Sequence, residues 1–307
     1  MDFRDVSLTA LRVFRAVAEQ GTFTAAAESL GYTQSGVSRQ IASIERVADA
    51  RLLERRREGV RLTAAGHLVL RRASVALDEI DRTARELSGL PDQGGTVRVG
   101  WLPSVGAVLL PKAIAALRVS HPGITVMTRE GGTPALVRAL RTGSIDLALI
   151  SSAPPFRPLD AESPSLVSQT LTERSLYLAL PVAHPLARRD YVDVADLRGQ
   201  RWIAAPGSGD DRLMGVWPGL DERPEIAHTA RDWLAKLHLV AAGCGLTTVP
   251  VALAGAAPEG VVVRPVRGGA QEQRRLLLAR LPHPPQEATE RVAEALRAAA
   301  LDTDIAP

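Results

Sequence analysis

The stretch TFTAAAESLGYTQSGVSRQIASIERVADARLLERRREGVRLT, residues 22–63, decides how the rest of the chain is interpreted. Its pattern predicts an alanine-rich helix that ends at Gly31, a tight turn and a second helix. An arginine-rich hairpin follows, because Gly59 introduces a segment in which Val60 and Leu62 alternate with a charged residue. A helix, a turn, a second helix and a basic hairpin can together hold one helix against a groove of nucleic acid.

The second helix of this stretch, capped by Thr33, has two unlike faces. At 100° per residue its apolar side chains form one narrow stripe, Val37, Ile41 and Ile44. Small residues, polar residues and arginines share the opposite face: Ser35, Ser38, Arg39, Ala42 and Arg46. Small residues let a helix sit deep in the major groove, where Gln and Arg can pair with adenine or guanine. An ordinary amphipathic surface helix explains the same pattern about equally well.

The arginine run favours the nucleic-acid interpretation. Arg55, Arg56 and Arg57 precede Gly59, where a wing would meet backbone phosphates or the minor groove. The span from Arg39 to Arg61 holds seven arginines and four acids, while the net charge of all 307 residues is only +3. The positive charge is therefore local, which indicates one anionic partner at one end of the chain. Taken alone, the run would be a solvated loop.

A long helix is predicted from Thr63 to about Ser88. Its apolar and small residues recur at intervals of four and three, as in a coiled coil: Val69, Ala73, Ala76, Ile80, Thr83 and Leu87, with Leu70, Leu77 and Ala84 alongside. A helix of roughly 40 Å would expose this stripe, so we expect it to pair with a second copy. The alternative is that the stripe packs on its own chain. The Gly/Pro-containing hinge before residue 96 disfavours that alternative.

Strands and helices alternate after Gly95, which predicts an α/β region. The segment 96–150 predicts a βαβαβ unit with a parallel sheet, in which Thr133 caps a helix and Pro134 is its first residue. A second unit begins near Val167, and an amphipathic helix from about Gln286 to Ala300 closes the chain. Two similar halves joined by two crossings predict a cleft between them.

Ligands of such sheets bind beyond the carboxyl ends of the strands, at helix N-termini. Three hydroxyls are expected at those points, beside free backbone N–H groups: those of Ser104, Thr133 and Ser208. Ser208 belongs to the turn that begins at Pro206. This favours a small, anionic ligand. Helix capping alone would explain any one of these residues. We identify no basic residue dedicated to an anion, since the directions of Arg129, Arg174 and Arg201 are unknown.

Motifs of catalysis and of metal binding are absent from the sequence. It has no G-x-S-x-G, Walker A, H-E-x-x-H or complete G-x-G-x-x-G, and its six histidines have no metal-ligand spacing. We expect no enzyme activity and no cofactor. Cys244, the only cysteine, is expected to be a buried small hydrophobe and suits a reducing cytosol. Its redox role stays open.

No segment is expected to enter a membrane. The N-terminal MDFRDVSL has acids where a signal peptide has a basic region and an apolar run. The uncharged stretch 239–258 is interrupted by three glycines and two prolines, so we interpret it as buried core. These features predict a cytoplasmic protein.

The chain resembles the LysR-type transcriptional regulators over nearly its whole length. The resemblance is carried by LTALRVFRAVAEQGTFTAAAESLGYTQSGVSRQIASIE, by LLERRREGVRLTAAG, by the long helix and, more weakly, by LVAAGCGLTTVP. It implies a winged helix-turn-helix, a long linker helix and a two-lobed effector domain similar to periplasmic binding proteins. It also implies double-stranded DNA and a small-molecule inducer as ligands, and dimers that pair into tetramers.

The resemblance also implies boundaries and roles. The DNA-binding domain would span 1–62, the linker helix 63–88, the hinge 89–95 and the effector domain 96–307, with one lobe from 96–166 and 268–307 and the other from 167–267. The expected DNA-binding residues are Thr33, Gln34, Ser35, Ser38, Arg39, Arg55 and Arg56, and the expected effector-binding residues are Ser104, Thr133, Pro206 and Ser208. The family often has Pro-Ala where this chain has Ser35-Gly36. A solute-binding protein or an enzyme on the same scaffold are the alternatives.

Overall fold

A computed structural model describes residues 5–56, 59–87, 94–106, 108–154, 156–162, 165–205, 214–268 and 273–304. Within these ranges the chain forms an N-terminal helical domain with a β-hairpin, one long helix and a mixed α/β region. The predicted α/β class with an N-terminal helix-turn-helix is therefore confirmed. None of the described helices is both long and apolar enough to cross a membrane.

The N-terminal domain contains three helices and one hairpin. They are α1 (Leu8–Gln20), α2 (Phe23–Leu30), α3 (Gln34–Ala48), β1 (Leu53–Arg56) and β2 (Gly59–Leu62). Hydroxyl caps begin the three helices: the side chains of Ser7, Thr22 and Thr33 each accept a backbone N–H, and the cap at Thr33 is the one expected above. The apolar stripe of α3 packs with α1 in one core, in which Phe14, Val37 and Ile44 are at most 1% exposed.

Helix α4 (Ala64–Leu87) is the predicted linker, and its apolar stripe is divided between two faces. Leu70, Ala73 and Leu77 are buried against their own chain. This corrects the expectation that a partner would cover the whole stripe, because α4 packs beside α1 of the same protomer. On the described part of the helix Leu68, Val75 and Ile80 stay exposed. Ile80 belongs to the predicted stripe, whereas Leu68 and Val75 lie on another side of the helix. Ser88 and residues 89–93 of the hinge lie outside the described residues.

The first half of the α/β region is the predicted βαβαβ unit. Its elements are β3 (Thr96–Trp101), α5 (Pro103–Gly106), α6 (Leu109–Ser120), β4 (Thr125–Glu130), α7 (Thr133–Arg141) and β5 (Leu147–Ser152). Strand β3 lies between β4 and β5 and is parallel to both, so the three carboxyl ends meet at one edge. Helix α6 packs with the C-terminal helix over one face of the sheet.

The second half begins with a strand of fifteen residues, β6 (Val167–Pro181). The other elements are β7 (Val192–Asp193), β8 (Arg201–Ala204), β9 (Glu225–Thr229), α8 (Trp233–Ala241), β10 (Thr247–Pro250), β11 (Val261–Arg267), β12 (Gln273–Arg280) and α9 (Glu287–Asp304). Short 3-10 helices cover Pro185–Arg188, Val194–Leu197 and Val251–Ala256.

Strand β6 joins the two halves into one curled, mixed sheet. From Val167 to Ser175 it pairs with β12, and from Leu176 to Pro181 it pairs with β10 and β11. All three partners are antiparallel to it, whereas β8 and β9 form a separate parallel pair. The predicted lobe boundaries, with one lobe from 167–267, stay a prediction.

Contacts also join the N-terminal domain and α4 to the first half of the α/β region. Glu19 of α1 lies 3.7 Å from the Arg129 guanidinium, and His67 of α4 lies 3.2 Å from the Glu162 carboxylate. A cavity of about 360 Å³ between the two parts is lined by Leu62, Val137 and Arg141, among others. The winged domain is thus docked on α7 of its own chain.

Candidate nucleic-acid interface and effector cleft

Helix α3 turns its polar face to solvent. Gln34, Ser35 and Arg39 are exposed, while Ser38 is half-buried. The Thr33 hydroxyl caps the helix by accepting the Gly36 N–H at 3.1 Å, and it lies 3.2 Å from the Ser35 hydroxyl. The sequence-predicted residues of this helix are therefore together on one accessible surface near its N-terminus.

A single carboxylate fixes the hairpin beside α3. Glu45 Oε1 accepts the backbone N–H groups of Leu52 and Leu53, at 2.8 and 3.2 Å. Asp49 reverses the chain between them in a left-handed conformation, with φ 46°. Because Glu45 belongs to α3 and Leu53 begins β1, the helix and the wing have one fixed relationship.

The wing arginines differ in their contacts. The Arg55 guanidinium lies over the Phe23 ring, 5.3 Å from its centroid, whereas Arg56 forms an ion pair of 2.7 Å with Glu54. Arg55 and Ser38 line the same groove of about 530 Å³ between α3 and β1. The hairpin and the polar face of α3 therefore form one continuous surface. Arg57 and Glu58 lie outside the described residues.

Two predicted effector residues lie at the carboxyl edge of the parallel strands. Half-buried Ser104 follows β3 within α5, and Thr133 follows β4 at the start of α7. The Thr133 hydroxyl lies 3.5 Å from the carbonyl oxygen of Ser151, at the end of β5. The expectation that Thr133 caps α7 is wrong: Gly132 is the N-cap residue and Thr133 is the first helical residue. Its hydroxyl points instead toward the neighbouring strand end.

The other predicted effector residues, Pro206 and Ser208, lie outside the described residues. The described residues on either side of 206–213, Ala205 and Met214, exchange two backbone hydrogen bonds of 2.6 and 3.1 Å. Met214 is followed by Gly215, which lies against the end of β8. Ala205 and Met214 are thus held together at the carboxyl end of β8.

A buried cation, Lys236, lies at this same end of the second half. Lys236 is the fourth residue of α8, and it is 1% exposed. Its ammonium nitrogen Nζ lies 4.6 Å from the centroid of the Trp233 ring. Burial lowers the pKa of this ammonium to about 8. No group in the described ranges forms an ion pair or hydrogen bond with it.

Two of the arginines considered from the sequence have partners. Arg129 faces Glu19 at 3.7 Å, and Arg201 faces Glu225 at 3.3 Å. Neither is therefore a cation reserved for a ligand. Lys236 was missed because its helix, WLAKLHLVA, is apolar and packs as core. The available signal was its rarity, since the chain has only one other lysine, Lys112.

Two family comparisons agree with this geometry. Residues 8–67 match the bacterial regulatory helix-turn-helix protein of the lysR family, and residues 92–301 match the LysR substrate binding domain. The chain belongs to the LysR family of transcriptional regulators. As a LysR-family protein it combines a DNA-binding helix-turn-helix with an effector-binding domain. This membership decides against the solute-binding and enzyme alternatives.

Similar proteins cover most of the LysR-family chain. The HTH-type transcriptional regulator TtuA of Agrobacterium vitis is 32% identical over 267 residues, which are 85% of this chain and 86% of TtuA. A full-length OxyR variant of Pseudomonas aeruginosa is 22% identical with a TM-score of 0.61, covering 96% of this chain and 94% of that chain. Full-length CbnR in complex with its target DNA is 24% identical with a TM-score of 0.52, covering 96% and 99%. The two structures share the fold.

One residue of this LysR-family chain departs from expectation. Cys244 is half-buried in the turn after α8, whereas the sequence predicts a buried side chain. In the turn before the wing Asp49 adopts the left-handed conformation that ends α3. Leu53, at the start of the wing, is 8% exposed and packs in the core of the N-terminal domain.

Proposed function

We propose that α3 enters the major groove of promoter DNA while the wing follows the adjacent backbone. Gln34, Ser35 and Arg39 would read base edges, with Thr33 and Ser38 beside them at the phosphates. Arg55 and Arg56 would neutralise phosphates or enter the minor groove. The observation that carries this proposal is the Glu45 carboxylate, which holds the wing strand against the recognition helix.

The test is a gel-shift assay on the DNA that flanks the gene, with shuffled DNA of equal length as the competitor. Between about 50 and 200 mM salt, affinity for both DNAs should fall steeply, because phosphate contacts release counterions. The flanking DNA should remain the tighter ligand throughout. Absence of specific binding at low salt would overturn the proposal.

We infer that a small anionic effector binds in the cleft between the two halves. Ser104 and Thr133 would contact it from the edge of the parallel strands, and Pro206 and Ser208 are the other residues expected to contact it. What supports this proposal is the meeting of Thr133 with the end of β5. A thermal-shift screen of small carboxylic and aromatic acids, with neutral amides as matched controls, would test it.

We also propose that α4 pairs with α4 of a second copy, as a dimer or within a tetramer. Ile80 of the predicted stripe, 36% exposed, and the pair Leu68 and Val75 on another side of α4 are the exposed apolar residues that favour this pairing. Two copies would carry two recognition helices, which suits a two-fold-related site on DNA. The reducing cytoplasm, where promoter DNA is accessible, is the proposed location.

A further inference from the structure

We propose that Lys236 is the residue that binds the charged group of the effector, and that this group is a carboxylate of a small organic acid. The inference rests on the proposed effector function and deepens it. It assigns the anion to the half of the cleft that contains α8, whereas the hydroxyls of Ser104 and Thr133 lie on the other half.

The surroundings of Lys236 carry the inference. An ammonium removed from water is strongly destabilising unless a partner compensates its charge. Lys236 is 1% exposed, and in the described part of the chain neither a carboxylate nor a hydrogen-bond acceptor compensates its charge. Because Met would fill the same space without that penalty, the charge itself requires an explanation. A binding partner from outside the chain supplies one.

The position of the ammonium in the fold agrees with a ligand site. A Cβ atom on Gly215 would lie only 3.1 Å from Lys236 Nζ, so the Gly215 backbone packs directly against the ammonium. The neighbouring Thr247 hydroxyl already donates a hydrogen bond of 2.9 Å to the Ile203 carbonyl oxygen, and neither of these two groups is bonded to Lys236. The contact of Gly215 with Lys236 is at the carboxyl end of β8, and β8 is parallel to β9, which is the end where such folds bind ligands.

The chemistry of this site favours a single carboxylate. One ammonium can balance one negative charge, whereas a phosphate dianion would need further donors or a second cation. The Trp233 ring, 4.6 Å from Nζ, adds a flat apolar surface beside the cation. Burial lowers the pKa of the ammonium to about 8, so most of the protein is still charged near pH 7.

The chain offers a direct measurement, because Lys236 and Lys112 are its only lysines. Full-length protein labelled with ¹³C-lysine should give two Cε signals, and exposed Lys112 serves as the internal control. In the free protein the Lys236 signal should titrate well below the ordinary lysine value of 10.5. Sodium acetate and sodium benzoate should each be added, with sodium chloride holding the ionic strength constant. At least one carboxylate should shift the Lys236 signal and raise its pKa, without effect on Lys112.

Three results would overturn the proposal. They are an ordinary pKa for Lys236 in the free protein, no selective response to either carboxylate, and a stronger response to inorganic phosphate than to carboxylates. Lys236→Met should weaken binding of the responding carboxylate by at least about 30-fold, as loss of a buried charge partner does, whereas Lys112→Met should retain it. Equal loss in both variants would also contradict the assignment. If Lys236→Met does not fold, the signals of the unaltered chain still decide.

Failure of this inference is distinguishable from failure of the regulator function. Specific DNA binding by the unaltered chain tests the regulator, and the Lys236 signal tests the anion site. If the protein binds its promoter but neither carboxylate changes the Lys236 signal, the regulator function is supported and the assignment of Lys236 as the anion site is refuted.

Discussion

The hydroxyl of Ser74, in the linker helix α4, donates a hydrogen bond of 3.0 Å to the carbonyl oxygen of Thr142, just after helix α7. Ser74 is 3% exposed and Thr142 is fully buried. Helix α7 begins at Thr133, at the edge where the effector is proposed to bind. One helix of nine residues thus connects that edge to the helix that carries the DNA-binding domain.

Ser74→Ala should lower the thermal stability of the full chain. The change removes the donor and leaves a buried carbonyl oxygen without this bond, which typically costs about 1–2 kcal/mol. Differential scanning fluorimetry would measure the loss. Ser120→Ala is the matched control, because the Ser120 hydroxyl donates a hydrogen bond of 3.0 Å to the Ala116 carbonyl oxygen at an exposed position. Equal melting temperatures for Ser74→Ala and the unaltered chain would mean that the contact contributes nothing.

Burial of His67 should make the folded chain less stable in mild acid. Burial lowers the pKa of His67 below 6.5, despite the opposing effect of Glu162, and Arg141, Arg71 and Arg61 lower it further. The unfolded chain then binds more protons than the folded chain, so the stability present above pH 6.5 is lost as the pH falls through that value.

His67→Gln should make unfolding less dependent on pH between 7.5 and 5.5, values that bracket the ordinary histidine pKa of about 6.5. Urea midpoints at the two pH values would measure the difference. His238→Gln is the control, because His238 is exposed on α8. A pH dependence that is unchanged by His67→Gln and lost in the control would refute the assignment.

The arginines of the DNA surface should differ in kind. Arg39→Ala should weaken binding to promoter DNA far more than binding to random DNA, because Arg39 lies on the reading face of α3. Arg56→Ala should weaken both and reduce the salt slope by about 1, as loss of a phosphate contact does. Gel shifts at several salt concentrations would measure both. Similar losses on the two DNAs for Arg39→Ala would remove it from base readout.

The ion pair of Arg56 with Glu54 should reduce the affinity of the wing for DNA. At 2.7 Å the Glu54 carboxylate partly neutralises this guanidinium. Glu54→Gln should therefore strengthen binding to promoter and random DNA alike, while Glu28→Gln, on α2, should not. A decrease in affinity for Glu54→Gln would show that the ion pair orients Arg56 instead of competing with DNA.

Local rules predicted the N-terminal domain well because its decisive interactions are close in sequence. Ser7, Thr22 and Thr33 each cap a helix by accepting the backbone N–H three residues later. The apolar stripe of α3 likewise repeats at intervals of three and four residues. The hydrogen bonds from Leu52 and Leu53 to the Glu45 carboxylate were not predictable in the same way. They depend on a carboxylate reaching two N–H groups across a turn, and nothing in the spacing distinguishes Glu45 from a surface acid.

Contacts between distant segments explain the other features that the sequence did not predict. The apolar stripe of α4 has the same heptad pattern whether it packs on its own chain or on a partner. Which of its residues are buried and which are exposed therefore becomes clear only from the tertiary structure. Lys236 lies in a helix whose other residues pack as core, and its isolation depends on Gly215, twenty-one positions earlier in the sequence. Helix capping and patterning cannot reveal a missing partner, because the partner would come from another part of the fold.

Acidic substitutions of exposed apolar residues of α4 should dissociate the proposed oligomer. Val75→Asp and Ile80→Asp would each bury a carboxylate between two paired helices, which is strongly unfavourable without a partner. Size-exclusion chromatography with light scattering should detect monomers. Glu79→Asp, on the same exposed part of α4, keeps the charge and is the control. An unchanged mass for both apolar-to-acid variants would show that neither Val75 nor Ile80 lies in the interface.

Lys236→Met should stabilise the ligand-free protein near neutral pH. The pKa of this ammonium falls from 10.5 to about 8 on folding, so between those values the unfolded chain binds the additional proton and stability rises with pH. Below pH 8 the folded protein bears the full penalty of the buried charge, roughly 3 kcal/mol.

The gain from Lys236→Met should therefore be largest at pH 7, shrink above pH 8 and vanish near pH 10.5, the ordinary lysine value. Urea unfolding at pH 7, 9 and 10.5 would measure it, with exposed Lys112→Met as the control that gains little at any pH. A loss of stability at pH 7 would mean that the ammonium is already compensated in the free protein. The predicted destabilisation by the buried charge and the proposed anion site would then both be wrong, because each requires that the cation lack a partner until a ligand arrives.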